Sequence, residues 1–413
     1  MFAGNSTARL LGFLFSVAAA RILGTQDFGR FAFGLTVASI SAILVTNAPR
    51  GLSRFLARAH DRPEQDNYYS NWLMVVVLTF GLSALLLVPI SALSGIEGWM
   101  VVAVGANLVG VTVFETYREA QRGLLRFTAM VVFYLAANLI QLFAILVAGG
   151  LGLRSPSLVL TIYGLSSLAA LVVMQRASPI AISFRRDALV WRRVRAIIRF
   201  VRPLVAQTIF YAVWFGADIL LLGRLVGPAP TGNYAAAKTL VTVLALVPLA
   251  IGIVTGPEVA QLRQRGVGGL RRFVLFALTL TAAATAPIAA GLVWLKEPIT
   301  QFVFGGRYPL ASRPMTLLVI GMSLYGFSVV LENLWVGLGR PRVVAVASCA
   351  AMLLTVGLGL VLVPQLADIG AAVAFASGAA AQLAVVGLFT VALLYSGSAI
   401  RTQSIPDRGI IES

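Results

Sequence analysis

Long stretches without a single charged residue alternate along this chain with short ones in which charges cluster. The charge-free runs cover 31–49, 67–96, 98–114, 127–153, 155–175, 239–257, 273–295, 314–331, 343–367 and 369–400. Each has roughly the 17–25 residues that a helix needs to cross bilayer hydrocarbon, or more where a polar loop end is included. Two shorter apolar stretches, 10–20 behind Arg9 and 203–223 interrupted by Asp218, raise the expected spans to twelve. The runs lack the period-two alternation of a barrel strand, so the expected fold class is an all-α integral membrane protein. Residues 10–17 followed by Ala18, Ala19 and Ala20 also have the form of a secretory signal. An internal repeat that pairs this stretch with the helix containing Asp218 makes it a retained first span instead.

Composition supports the pattern. Of 413 residues 59% are hydrophobic and 11% charged, against about a quarter charged in soluble domains, which excludes a soluble enzyme. The net charge is +17, with 32 Lys and Arg against 15 Asp and Glu. In a chain this apolar, such basicity reads as the positive-inside bias of a membrane protein and calls for no nucleic acid. With twelve spans, 24 of the 32 bases fall in alternate loops on the N-terminal side and 8 on the other. Both termini are therefore expected in the cytoplasm, and the membrane itself is expected to be the cytoplasmic membrane of a bacterial or archaeal cell. Cys349 and His60 are each single, which removes intramolecular disulfides, Cys metal clusters and most His-based catalysis.

The chain also repeats itself. RILGTQDFGRFAFGLT, starting at Arg21, aligns without gaps on RLVGPAPTGNYAAAKT, starting at Arg224, an offset of 203. Arg21, Gly24 and Gly29 match Arg224, Gly227 and Gly232; a weaker echo sets Gly123, Leu124 and Arg126 against Gly337, Leu338 and Arg340. Six spans per half return the chain to its starting side, so the halves insert in the same orientation. The expected domains are a six-helix bundle at 1–178, a basic amphipathic linker at 179–202, a second bundle at 203–400 and a tail at 401–413, the bundles flanking a central cavity. An Arg-x-x-Gly-x-x-x-x-Gly pattern is in itself a tight turn between helices, its glycines supplying backbone freedom.

The turn at Arg21, its echo behind Asp218, and FGGRYPLASRPMTLLVIG from Phe304 to Gly321 resemble the Wzx-type polysaccharide and O-antigen flippases. These belong to the multidrug, oligosaccharidyl-lipid and polysaccharide exporter superfamily. The resemblance implies a secondary transporter, not an enzyme, that flips a polyprenyl-diphosphate-linked oligosaccharide by alternating access. Its implied partners are that glycan, membrane lipids, and the glycosyltransferases and polysaccharide polymerase acting before and after it. A multidrug or cation antiporter and a lipid II flippase of the same superfamily are the alternatives.

Ionisable residues inside a membrane are expensive and mark function by default. Arg9 begins the first span, Asp218 lies in the seventh, Lys238 opens the eighth and Glu332 interrupts the tenth, with Asn5 and Asn47 as polar neighbours. A diphosphate losing its water needs charge-assisted hydrogen bonds, so Arg9, Arg21, Arg224 and Lys238, equivalent across the repeat, are the expected diphosphate ligands. Arg50, Arg54 and Arg58, and likewise Arg118, Arg122 and Arg126, recur every four residues as stripes that would receive the anionic head at the cytoplasmic mouth. The same stripes also satisfy positive-inside bias alone. The segment from Phe184 to Pro203 reads as a basic helix lying on the inner surface. GNYAAAKT at Gly232 lacks the second glycine of a phosphate-binding loop. With no nucleotide site and no cofactor expected, H⁺ or Na⁺ coupling falls to Asp218 and Glu332.

Overall fold

In hydrocarbon a backbone has no hydrogen-bond partner but itself, and the chain answers with helices. The computed structural model describes residues 2–49, 52, 56, 61–96, 98–178, 184–262 and 267–396. Among these, nine helices are long and apolar enough to cross a membrane. One of the nine, Pro341–Tyr395, is two helices joined at Ala367, where φ of 47° and ψ of −119° break the rod. With the first helix and a two-part second helix, the described residues form twelve rods, as the charge-free runs require.

In chain order these are α1 (Phe2–Leu23), α2 (Thr25–Ser41, resuming as Ile43–Asn47), α3 (Arg62–Ser94), α4 (Trp99–Gly123), α5 (Phe127–Gly150) and α6 (Pro156–Ala177). The second half has α7 (Trp191–Leu225), α8 (Pro228–Val241, a 3-10 stretch Thr242–Ala245, then Leu246–Leu262), α9 (Val267–Trp294), α10 (Ser312–Gly337), α11 (341–366) and α12 (368–396). A short helix, Lys296–Phe304, joins α9 to α10. In the first half α1 packs on α5, α4 on α6, and α2 on both α4 and α6; the halves meet mainly where α2 lies against α8 and α7.

The outer coat suits a bilayer. Val77, Leu85, Phe143, Phe276 and Leu388 are exposed, and exposed aromatics mark the ends: Trp99 and Trp294 at one, Trp191 and Tyr395 at the other. Such aromatics sit at headgroup level. The Trp99 end carries the Arg21 and Arg224 turns and is the turn end of the molecule; the other is its basic end.

The repeat is written into the backbone. Gly24 and Gly227 hold φ of 77° and 126° at the starts of α2 and α8. Both helices are interrupted at matching depth, α2 at Ala42 and α8 at Thr242–Ala245. The weaker echo proves to be a shared helix stop. Arg126 N donates to Gln121 O, and Arg340 N to Trp335 O, each reaching back five residues after a left-handed residue, Leu125 in one and Gly339 in the other.

Two sequence expectations need correction here. The basic linker is no separate surface helix: from Trp191 it is the beginning of α7, continuous to Leu225. Its face of Val194, Ile197 and Val201 buries against Leu52, Leu56, Trp72 and Val76 of the first half, so its apolar face meets protein and not lipid. Asn71 ties this junction down, donating to Ala188 O (2.8 Å) and accepting from Val190 N (2.7 Å). Beside it Arg185 pairs with Asp187 at 2.7 Å and holds that carboxyl below its usual range. The second correction concerns the stripes. Arg118 and Arg122 lie on α4, but the helix stops at Gly123, so Arg126 does not continue their face. Arg50, Arg54 and Arg58 lie outside the described residues, as does the tail at 401–413.

Candidate functional site

A cavity of about 910 Å³ lies between the two halves. From α1, Arg9, Phe13 and Ser16 face it; from α2, Phe28, Phe31 and Ser39. Arg118, Asn138, Gln141 and Tyr163 close the first-half side, while Tyr211, Phe215, Lys238 and Tyr325 close the second-half side. Along α2 the lining runs from Phe28 to Ser39 and on to Thr46 near the basic end. Beyond Phe28, toward the turn end, the halves are in contact.

That contact is close. A Cβ on Gly29 would collide with Pro228 O and Gly232 N, and one on Gly232 with the Thr25 carbonyl, so repeat-equivalent glycines let α2 and α8 meet backbone to backbone. Around them Arg21 donates from Nε to Val303 O and from Nη2 to Phe302 O, both at 2.6 Å. Arg307 Nη1 returns a bond to Arg21 O at 2.6 Å, Tyr308 OH donates to Ala20 O at 2.7 Å, and Thr25 Oγ1 to Arg307 O at 2.7 Å. Burial pushes the Tyr308 phenol up from its usual value. Arg224 rests against Gly95 at the end of α3. The four bases expected to hold a diphosphate are thus not one cluster: Arg9 and Lys238 line the cavity, whereas Arg21 and Arg224 occupy the turn end.

Lys238 and Asp218 are brought together. Lys238 is buried (4% exposed) and Asp218 wholly so. The ammonium lies 2.7 Å from Asp218 Oδ2 and 2.6 Å from Phe215 O, and stands 4.5 and 4.6 Å from the ring centres of Phe215 and Phe375. Tyr234 OH donates to the same Oδ2 at 2.6 Å and Ile219 N to Oδ1 at 2.8 Å. Lys238 therefore does not snorkel from a helix end. Because α8 begins at Pro228, its ammonium lies inside the protein, where only pairing makes a charge tolerable.

Arg9 differs. Among the described residues it makes no hydrogen bond or ion pair, it is exposed, and its charge lies within electrostatic reach of the Tyr211 and Tyr325 hydroxyls, themselves joined at 2.8 Å. Arg118 pairs with Glu115 at 2.5 Å and lies 3.4 Å from Glu119, which also meets Arg122 at 3.5 Å. Glu332 is held between α10 and α12 by the Gln382 amide and does not line the cavity. Asn47 accepts from Thr208 at 3.0 Å, tying α2 to α7 near the basic end.

Reasoning from the sequence missed the acidic partners Glu115 and Glu119, whose i, i+3 spacing to Arg118 and Arg122 was a usable signal. It also missed Asp368, buried just beyond the Ala367 break, and the tyrosine and amide lining, which charge counting does not register.

Two parallel, repeat-related helical bundles flank the cavity, an architecture that membrane transporters build from duplicated halves. Among solved structures, the lipid II flippase MurJ in an inward closed conformation is similar at a TM-score of 0.77 and 14% identity, over 94% of this chain and 87% of that one. An inward-facing multidrug resistance MATE family transporter of the MOP superfamily gives 0.76 at 14% identity, over 96% of each. A MATE structure in complex with MaD3S gives 0.67 at 14% identity, over 97% and 95%. No curated protein sequence matches the chain. Residues 203–361 match the MatE family and residues 1–262 the family described as polysaccharide biosynthesis protein. The chain belongs to the polysaccharide biosynthesis protein family, and it has the fold of the MurJ and MATE transporters.

Proposed function

We propose that this transporter moves a polyprenyl-diphosphate-linked glycan across the cytoplasmic membrane, with its basic end in the cytoplasm. The observation that carries the reading is Arg9: a cation without an ion pair among the described residues, on a mainly apolar cavity wall into which the polar groups of Tyr163, Tyr211, Asn138 and Gln141 are set. A diphosphate supplies the missing anion, and the hydroxyls and amides set into the wall offer a sugar hydrogen-bond partners. The polyprenyl tail stays in the lipid, where its apolar surface is already out of water. Family membership and the three-to-one bias of bases support the same reading. In this account glycosyltransferases deliver the cargo from the cytoplasm and a polysaccharide polymerase takes it outside.

Of the two carboxylates expected to couple to H⁺ or Na⁺, Asp218 is engaged by Lys238 and Tyr234. Glu332, whose partner is a neutral amide, is the one left to respond to an ion gradient. A multidrug antiporter, the reading that the MatE match favours, would present a net acidic cavity to cations. Here the ionisable lining is Arg9, Lys238, Arg118 and Glu115.

The test is ligand stabilisation of purified protein. A polyprenyl-diphosphate sugar should raise the melting temperature in wild type and not in Arg9→Ala, while lipophilic drug cations should leave both unchanged. Stabilisation by the cations alone would favour the antiporter.

A further inference from the structure

Arg21 and Arg307 reach across to cap helix ends in opposite halves. Arg21, in the last turn of α1, donates both its bonds to Phe302 and Val303, whose carbonyls lie at the end of the short helix Lys296–Phe304. Arg307, just past that short helix, donates to Arg21 O at the end of α1. Cations are favoured at helix C-termini, where carbonyls lack intrahelical partners. The two termini belong to opposite halves of the repeat, so the exchange ties the halves together. Its repeat equivalent is present in weaker form: Arg224, at the end of α7, rests on Gly95, the left-handed residue that ends α3 of the other half. Between the two lies the backbone contact of Gly29 with Gly232.

We infer that Arg21 and Arg224 form a pair of crossed latches that hold the turn end of the transporter shut, the Arg21–Arg307 exchange being the stronger. This goes beyond the reading of the cargo and does not depend on it. Three features fit a latch better than a permanent staple. Arg21 is an exposed cation whose acceptors are neutral carbonyls, and among the described residues no carboxylate pairs with it, so its bonds are weaker than those of a carboxylate pair. The contacts lie where the cavity lining stops, beyond Phe28, so their release would uncover the cavity from that end. And the arginines recur at the offset of the repeat, as needed if both halves separate at one axis. Each part of the Arg-x-x-Gly-x-x-x-x-Gly pattern then has its own role, the arginine in the latch, the first glycine in the turn and the second in the contact.

The experiment reads access to the cavity from each side. In a Cys349→Ala background, Ser16→Cys places one thiol on the cavity wall, and a membrane-impermeant thiol reagent is applied separately to right-side-out and inverted vesicles. The parent should label from the basic end and slowly from the turn end. Arg21→Ala with Arg307→Ala should raise the turn-end rate about tenfold, the scale expected from losing charge-assisted hydrogen bonds. Arg21→Gln and Arg224→Gln, made singly, carry the test if the double variant does not insert, with the larger rise in Arg21→Gln. Turn-end labelling equal to the parent in an inserted Arg21→Gln protein, or a larger rise in Arg224→Gln, would overturn the latch assignment. Glycan transport is not read, so failure here leaves the cargo reading standing, and the reverse.

Discussion

Lys238 sets its ammonium 2.7 Å from Asp218 Oδ2, so two residues that the sequence assigns to different roles are one buried ion pair. Removing one partner of such a pair leaves an uncompensated buried charge, at a cost of about 3–5 kcal/mol. Lys238→Ala or Asp218→Asn alone should therefore lower the melting temperature clearly. The double variant Lys238→Met/Asp218→Asn should recover much of the loss. Thermal unfolding in detergent checks this, and a double variant worse than the sum of the singles would count against the pair.

Twelve spans, their polarity of charge and the repeat were legible because the bilayer imposes each of them locally: length, apolarity and loop charge are properties of contiguous residues. The site was less legible because it is tertiary. Nothing in the linear order of residues says that Lys238 lies beside Asp218, or that Arg21 reaches Val303 across 282 positions. Repeat equivalence grouped Arg21 with Arg9 correctly as to half but not as to depth. Arg9 enters the cavity from the middle of α1, while Arg21 ends that helix. The basic linker failed for a related reason, since Val194, Ile197 and Val201 carry the same amphipathic period whether they face lipid or Trp72.

Arg9 should set affinity for the diphosphate. Arg9→Ala should weaken binding of a polyprenyl-diphosphate sugar about tenfold or more, and Arg9→Lys should restore part of it, losing the fork geometry but keeping the charge. Ligand titration followed by tryptophan fluorescence measures both. Equal affinity in all three proteins would remove Arg9 from the site.

Glu332→Gln should uncouple transport. The new amide carbonyl still accepts the Gln382 hydrogen bond, so the fold and cargo binding should persist while the response to an imposed H⁺ or Na⁺ gradient disappears. Proteoliposome transport with and without each gradient tests this, and an unchanged gradient response in the variant would exclude Glu332 as the coupling residue.

Leu125→Gly should stabilise the end of α4. Leu125 holds φ of 58° and is 64% exposed, whereas its repeat equivalent is the glycine Gly339. Relief of the left-handed strain is worth about 1 kcal/mol, with little buried surface given up. A lower melting temperature in Leu125→Gly would mean that its side chain packs more than its exposure indicates.

The central claim is translocation itself, and a flipping assay in proteoliposomes tests it most directly. Fluorescent polyprenyl-diphosphate oligosaccharide is placed in both leaflets, and the headgroup protected from an impermeant quencher is followed over time. Wild type should expose the inner pool within minutes, and Arg9→Ala, inserted to the same density, should leave it protected as in empty liposomes. Inner-leaflet headgroups that stay protected in wild-type vesicles under every imposed gradient, while lipophilic cations cross, would contradict the account.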